Sequence, residues 1–324
     1  MPLPPLTTPV PLPVFMPGMS HRAEGPPPPG AEPSPLPIRT KANTNTTSDS
    51  SSDNSTSISG TPNSGSSSSS APVDKPFPLP KLRLQINDLS HAGSTIFLSA
   101  VDASSVLASG VQTVLRALYG SPDSKKDCSN PPPTRSVTLI LRDMDGVAYT
   151  TGSDLDSDHK EIHFSLRYIA GINPASRQTH EITGVLVHEL VHCSNPQTQV
   201  QHNGHNTSPG GLVEGVADFV RLRAGLAPPH WRRGDPSATR WDAGYQHTAF
   251  FLDWLDERQP EQKQEPEQGQ EAGENGGKRS GGLVRRLNEK LRAGRYVESA
   301  FWPELTGRPV ADLWREYREE VLRG

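Results

Sequence analysis

The sequence is poor in the residues that build disulfide frameworks and membrane spans. Only 32% of its 324 residues are hydrophobic, 6% are aromatic and 2 are cysteines. Cys128 and Cys193 could pair once, but two unpaired thiols are the simpler interpretation. No run approaches the roughly 18 apolar residues of a membrane-spanning helix. These shortages exclude a disulfide-stapled module and predict no membrane partner.

The sequence also lacks an excess of positive charge. Its formal net charge is -4 and its pI is about 6.3. This balance gives no electrostatic reason to expect a nucleic-acid partner. Near the N-terminus, prolines interrupt every apolar run and no basic residue precedes them, so no signal peptide is predicted. By sequence alone we expect a cytoplasmic protein, and we expect it to be a monomer.

What the chain does contain in quantity is proline, serine and glycine, and much of it lies near the N-terminus. Such a composition cannot bury enough apolar surface to offset the entropy lost on ordering. We therefore predict a disordered arm over residues 1–78 and one folded domain over 79–324. A polar stretch rich in glutamine, glutamate and glycine predicts a disordered insert at about 259–282.

Within the domain, hydrophobic periodicity predicts strands first and helices after them. Alternating or continuous apolar residues predict strands at 82–86, 136–143, 147–152 and 161–169. Apolar residues at helical spacing predict helices at 99–119, 177–194, 209–224, 241–257, 281–293, 297–302 and 309–322. Strands followed by helices indicate an α+β domain.

One predicted helix carries the motif H-E-x-x-H. Residues four apart lie on the same helix face, so His188 and His192 can reach one metal ion. Glu189 lies one step round the helix and can reach a metal-activated water, as in zinc metalloproteases. The neighbouring residues are apolar, which indicates a buried helix, and buried polar side chains need partners.

A catalytic zinc needs a third protein ligand, and the next predicted helix offers Glu214. One turn later, Asp218 can accept the outward N–H of a ligand histidine, which we expect to be His188. His202 and His205 remain alternative third ligands. The metzincin spacing does not fit, because it would require histidine where Thr198 stands.

Four collinear segments resemble the plant basic secretory protein family and its bacterial and fungal relatives, which are regarded as peptidases of the zincin type. The resemblance extends over roughly 82–321. The segments are GVLVHELVHCSN, PGGLVEGVADFVRLRAGLAPPHW, RWDAGYQHTAFFLDW and WPELTGRPVADLWREYREE. The family is largely secreted, whereas this chain is slightly acidic and shows no secretory signal.

The resemblance implies a zincin-like domain. Its small, twisted mixed sheet would pack on an active-site helix, with a helical C-terminal part after it. The edge strand beside the cleft would lie near 161–168, where an extended peptide substrate could add as another strand. Tyr245 occupies a family aromatic position, where it is either an oxyanion hydrogen-bond donor or a buried core tyrosine, and His247 is a weaker candidate for the donor role.

The predicted function is therefore a zinc-dependent metallopeptidase that hydrolyses peptide bonds through a metal-activated water, with Glu189 as general base. The predicted cofactor is Zn²⁺ and the predicted partner is a peptide or protein substrate. Two alternatives stay open at this point. The first is a binding or defence module that keeps the fold with little turnover, and the second is a structural protein without zinc.

Overall fold

The computed structural model of the protein describes residues 75–122, 131–153, 155–194, 208–258 and 282–323. The predicted arm up to residue 74 and the predicted insert up to residue 281 lie outside them. Phe77 is buried in the core, and its backbone exchanges two hydrogen bonds with the Gln112 side chain. The packed chain therefore begins before residue 79, the predicted start of the domain.

A four-stranded sheet forms one layer of the fold. Its strands are β1 Lys81–Ile86, β2 Ser136–Arg142, β3 Ala148–Ser153 and β4 Asp156–Ser165. The spatial order is β1-β2-β4-β3, with the first three strands parallel and β3 antiparallel to β4. On one face, the apolar residues Leu139, Ile162 and Phe164 are fully buried against the helices.

Nine α-helices are described in these ranges. They are α1 Ala92–Ala100, α2 Ala103–Tyr119, α3 Leu166–Ala170, α4 Gln178–Ser194, α5 Gly210–Arg223, α6 Tyr245–Arg258, α7 Leu283–Ala293, α8 Glu298–Thr306 and α9 Val310–Arg323. α4 packs against the sheet, α2 and α5, so it lies at the centre of the fold. The mixed sheet with its helices confirms the predicted α+β class.

Three details of the predicted elements are wrong. The helix predicted at 99–119 is two helices, because Asp102 caps α2 by accepting the N–H of Ser105 at 2.7 Å. The strand predicted at 161–169 ends at Ser165, whose hydroxyl accepts the N–H of Tyr168 and starts α3. β4 is also an interior strand, paired on both sides, so the edge beside α4 is β3 rather than 161–168.

The contact between α5 and the start of α6 is very close because two residues lack side chains. A side-chain carbon at Gly211 would overlap the carbonyl oxygen of Asp242, and one at Gly215 would overlap the Thr248 side chain. Glycine at both positions lets the backbones touch. This approach places Tyr245, the first residue of α6, beside the helix that carries Glu214.

The few aromatic residues are concentrated in the C-terminal helices. Ring pairs at 5.2–5.6 Å join α6 to α9, among them Phe251–Trp314. Trp302 of α8 packs at 5.1 Å on Trp241, which lies in the segment before α6. Aromatic pairs add to the stabilisation from burial.

Among the described residues no single helix is long and apolar enough to cross a membrane. Helices α1 and α2 are long and apolar enough only when taken together, and the chain bends by 67° between them.

Candidate metal centre

Helix α4 brings two histidines and a glutamate into the interior. His188, Glu189 and His192 have exposed fractions of 7%, 3% and 6%. The two imidazoles lie on one face of the helix, and their Nε2 atoms are 3.1 Å apart. Nitrogen atoms this close, and aimed at the same point, suit a shared cation.

Helix α5 supplies the third member of the group. Glu214 Oε2 lies 3.2 Å from His188 Nε2 and 3.6 Å from His192 Nε2. The nitrogen and oxygen atoms that these three residues offer lie within 4.8 Å of one another, close enough to bind a single metal ion. His202 and His205, the alternative third ligands, lie outside the described residues.

The chemistry of this group fits a divalent metal ion. Within the part of the chain that the structure describes, no donor forms a well-aligned hydrogen bond to the buried Glu214 Oε2, although two imidazole nitrogens are near it. A buried carboxylate oxygen without a donor is costly unless a cation satisfies it. Two imidazole nitrogens and one carboxylate oxygen are a donor set found at catalytic zinc sites.

Asp218 lies behind His188, on the side away from Glu214. Its Oδ1 is 2.6 Å from His188 Nδ1 and both side chains are buried. A carboxylate in this position accepts the Nδ1–H proton, so the Nε2 lone pair faces Glu214 and His192. The two nitrogens of the His188 ring therefore have different partners: Nδ1 contacts Asp218 and Nε2 faces Glu214.

The electrostatics of the centre favour a positive charge between these groups. Burial alone lowers the pKa of His188, but the Asp218 and Glu214 carboxylates outweigh it and raise that pKa well above its usual value. Burial raises the pKa of Glu214, but the imidazoles of His192 and His188 outweigh it and hold that pKa far below its usual range. Glu214 is therefore ionised, the form that binds metal ions.

We predict that Asp218→Asn lowers the affinity for zinc by about 10–100-fold, because the amide cannot hold His188 as the carboxylate does. Competition with a chelator, followed by zinc analysis of the protein, measures this loss. Asp312→Asn, at a partly exposed position on α9 where the side chain pairs with Arg315, is the matched control and should leave the affinity unchanged. Equal affinities in the Asp218 variant and the wild type would show that Asp218 does not support the ligand.

The Glu189 carboxylate contacts strand β3 of the sheet. Its Oε2 accepts a hydrogen bond of 2.7 Å from the hydroxyl of Thr150 on β3. One turn later, Cys193 is a buried free thiol, and burial with the nearby Glu189 carboxylate raises its pKa to about 12. Cys128, the other cysteine, lies outside the described residues. Thr150 was not among the residues predicted from the sequence.

Tyr245 lies beside the candidate metal centre, at a turn with positive backbone φ angles. Its φ is +46° and it follows Gly244, whose φ is +88°. Left-handed conformations are uncommon for residues with side chains and often mark functional sites. The Tyr245 ring is stacked on the His188 ring, with centroids 6.5 Å apart and 11° between the planes.

The environment of Tyr245 keeps its phenol protonated. Burial raises the pKa of Tyr245 well above its usual value, and the Glu214, Asp218 and Glu189 carboxylates raise it further. The side chain of Tyr245 therefore keeps its O–H group. His247, the weaker candidate, instead lines a small groove with Trp314 and Tyr317 of α9.

The fold and this centre define a class of protein: an α+β domain with a buried His–His–Glu group that could bind a metal. The sequence matches the family model described as "Peptidase of plants and bacteria", abbreviated BSP, over residues 79–263 and 275–317. The chain therefore belongs to this family, and the resemblance seen in the sequence is confirmed. No curated protein and no solved structure matches the chain.

Proposed function

We propose that the protein is a zinc-dependent metallopeptidase of the zincin type that hydrolyses peptide bonds. Membership of a peptidase family supports hydrolysis. The observation that carries the zinc assignment is the group formed by His188, His192 and Glu214, with Glu189 buried on the same helix as the two histidines. Bound there, Zn²⁺ would supply Lewis acidity that lowers the pKa of a water molecule towards ~7.

Glu189 is the general base of this proposal. Its carboxylate would accept the proton of the attacking water and pass it to the leaving amine. Burial in the helix next to the ligands holds the carboxylate in one place, so little reorganisation is needed before the proton moves. Tyr245, a protonated phenol above His188, would donate a hydrogen bond to the developing oxyanion.

The substrate is a peptide or protein, and β3 is the strand beside which it would lie. Among the described residues, β3 pairs with β4 only and leaves its other edge open. An extended peptide can add to such an edge through backbone hydrogen bonds. Thr150 on β3 touches Glu189, so a peptide paired there would pass close to the base. We expect the enzyme to act as a monomer.

Glu189→Gln tests this proposal in a matched pair with the wild type. The amide keeps the shape of the side chain but cannot accept a proton, so we expect casein hydrolysis to fall about 10²–10⁴-fold. Zinc content, measured on both proteins, should stay at one ion each because Glu189 is not a ligand. Equal hydrolysis by the two proteins would refute the enzyme assignment. No hydrolysis by a zinc-loaded wild type would favour the binding or defence module.

A further inference from the structure

A threonine on the edge strand holds the proposed catalytic base. Thr150 Oγ1 lies 2.7 Å from Glu189 Oε2 and 3.1 Å from the backbone oxygen of the same residue. In the register of the sheet Thr150 lies opposite Ile162, which is fully buried on the face towards α4. The hydroxyl therefore belongs to the packed layer between the sheet and α4.

The hydroxyl has only one proton to donate. The carboxylate is both the nearer and the charged acceptor, and hydrogen bonds to charged acceptors are shorter and stronger than those to neutral ones. The proton is therefore assigned to Glu189 Oε2. Among the described residues, no other side chain donates a hydrogen bond to this carboxylate.

This arrangement gives the two carboxylate oxygens of Glu189 different roles. Oε2 is occupied by Thr150, which leaves Oε1 to accept the proton of a water molecule. A carboxylate without such a partner can rotate, and loss of the productive geometry slows a reaction. The contact also connects Glu189 to β3, the strand along which the substrate would lie.

We propose that Thr150 is the positioning residue for Glu189, fixing its carboxylate relative to both the metal centre and the bound peptide. This inference rests on the proposed function. It assigns Thr150 no contact with the reacting atoms, so the effect should appear in kcat rather than in substrate binding. It also requires the hydroxyl itself, since a side chain of the same shape without a proton to donate could not replace it.

The variant Thr150→Val keeps the branched shape and removes the hydroxyl. We expect kcat on a peptide substrate to fall about 10–100-fold, with KM within about threefold of the wild type, because a hydrogen bond to a charged group is lost. Thr150→Ser restores a hydroxyl and should recover kcat to within about threefold. Thr138→Val is the matched control, since Thr138 lies on interior β2 and is directed to the other face of the sheet.

A second readout does not depend on activity. In crystal structures of the metal-free proteins, the Glu189 carboxylate should leave its position in Thr150→Val and keep it in Thr150→Ser. This measurement also decides the matter if Thr150→Val is too unstable for kinetics, with Thr150→Ala crystallised in its place.

Three results would overturn the inference while leaving the proposed function intact. They are a Thr150→Val kcat equal to that of Thr138→Val, a Thr150→Ser variant as slow as Thr150→Val, and an unmoved Glu189 in Thr150→Val. Failure of the proposed function looks different, because the wild type would then be inactive or Glu189→Gln would be fully active. In that case the positioning role is overturned with it.

Discussion

Replacing Glu214 with alanine is expected to abolish both of the proposed properties, zinc binding and peptide hydrolysis. The change deletes the one carboxylate oxygen that faces both His188 Nε2 and His192 Nε2. Two imidazoles on their own do not complete a catalytic zinc site, which takes three protein ligands. The loss in affinity should exceed the roughly 10–100-fold that follows from removing a residue that only supports a ligand. Zinc analysis after dialysis, together with casein hydrolysis, measures both effects.

A control separates the loss of a ligand from the loss of a negative charge. Glu304 is exposed on α8 and pairs with Lys290, so Glu304→Ala removes the same side chain without touching the centre. That variant should keep full zinc content and activity. If Glu214→Ala keeps its zinc, the third ligand lies elsewhere. His202→Ala and His205→Ala, the alternatives in the sequence, would then be expected to lose the metal instead.

The parts of the centre that lie close together in the sequence could be predicted from it. The spacing of four between His188 and His192 fixes their common face as soon as the segment is helical. The same reasoning places Glu214 and Asp218 on one face of the next helix. The structure brings these four side chains together in one buried site. Glycines at 211 and 215 then set how closely the next element, with Tyr245, can approach.

The parts that depend on pairing between distant segments could not be predicted in this way. Apolar alternation continues past Ser165, so the pattern alone extends the strand into what is helix α3, started by a cap. Periodicity also does not show which strand lies at the edge of the sheet. The contact of Thr150 with Glu189 joins residues 39 apart and exists only because β3 is the edge strand beside α4.

Arg221→Met is expected to destabilise the domain by about 3–5 kcal/mol, the usual cost of leaving a buried charge without its partner. Arg221 on α5 donates to Glu181 Oε1 on α4 at 3.0 Å, and both side chains are buried. It also donates to the carbonyl of Leu226 at 2.9 Å and stacks on Trp231. These contacts join the two helices that carry the proposed metal ligands. Thermal unfolding of the zinc-free protein should show a Tm lower by roughly 6–20 °C.

The pH dependence identifies the cause of that loss. Burial alone raises the pKa of Glu181, but Arg221 and the hydrogen bond from Tyr168 outweigh it and lower that pKa below its ordinary value of 4.5. In the wild type this stabilisation is present above pH 4.5 and disappears as the pH falls through the lowered pKa. In Arg221→Met, protonation of Glu181 relieves the buried charge, so the stability deficit should shrink on acidification.

Two further variants make this prediction decisive. Arg308→Met breaks an exposed ion pair with Glu316 and should change the Tm very little, because surface pairs contribute little. The double variant Glu181→Gln with Arg221→Met removes both charges and should recover part of the lost stability. A deficit in Arg221→Met that is the same at pH 7 and pH 4, and that the double variant does not reduce, would mean that Arg221 acts through its packing on Trp231 rather than through its charge.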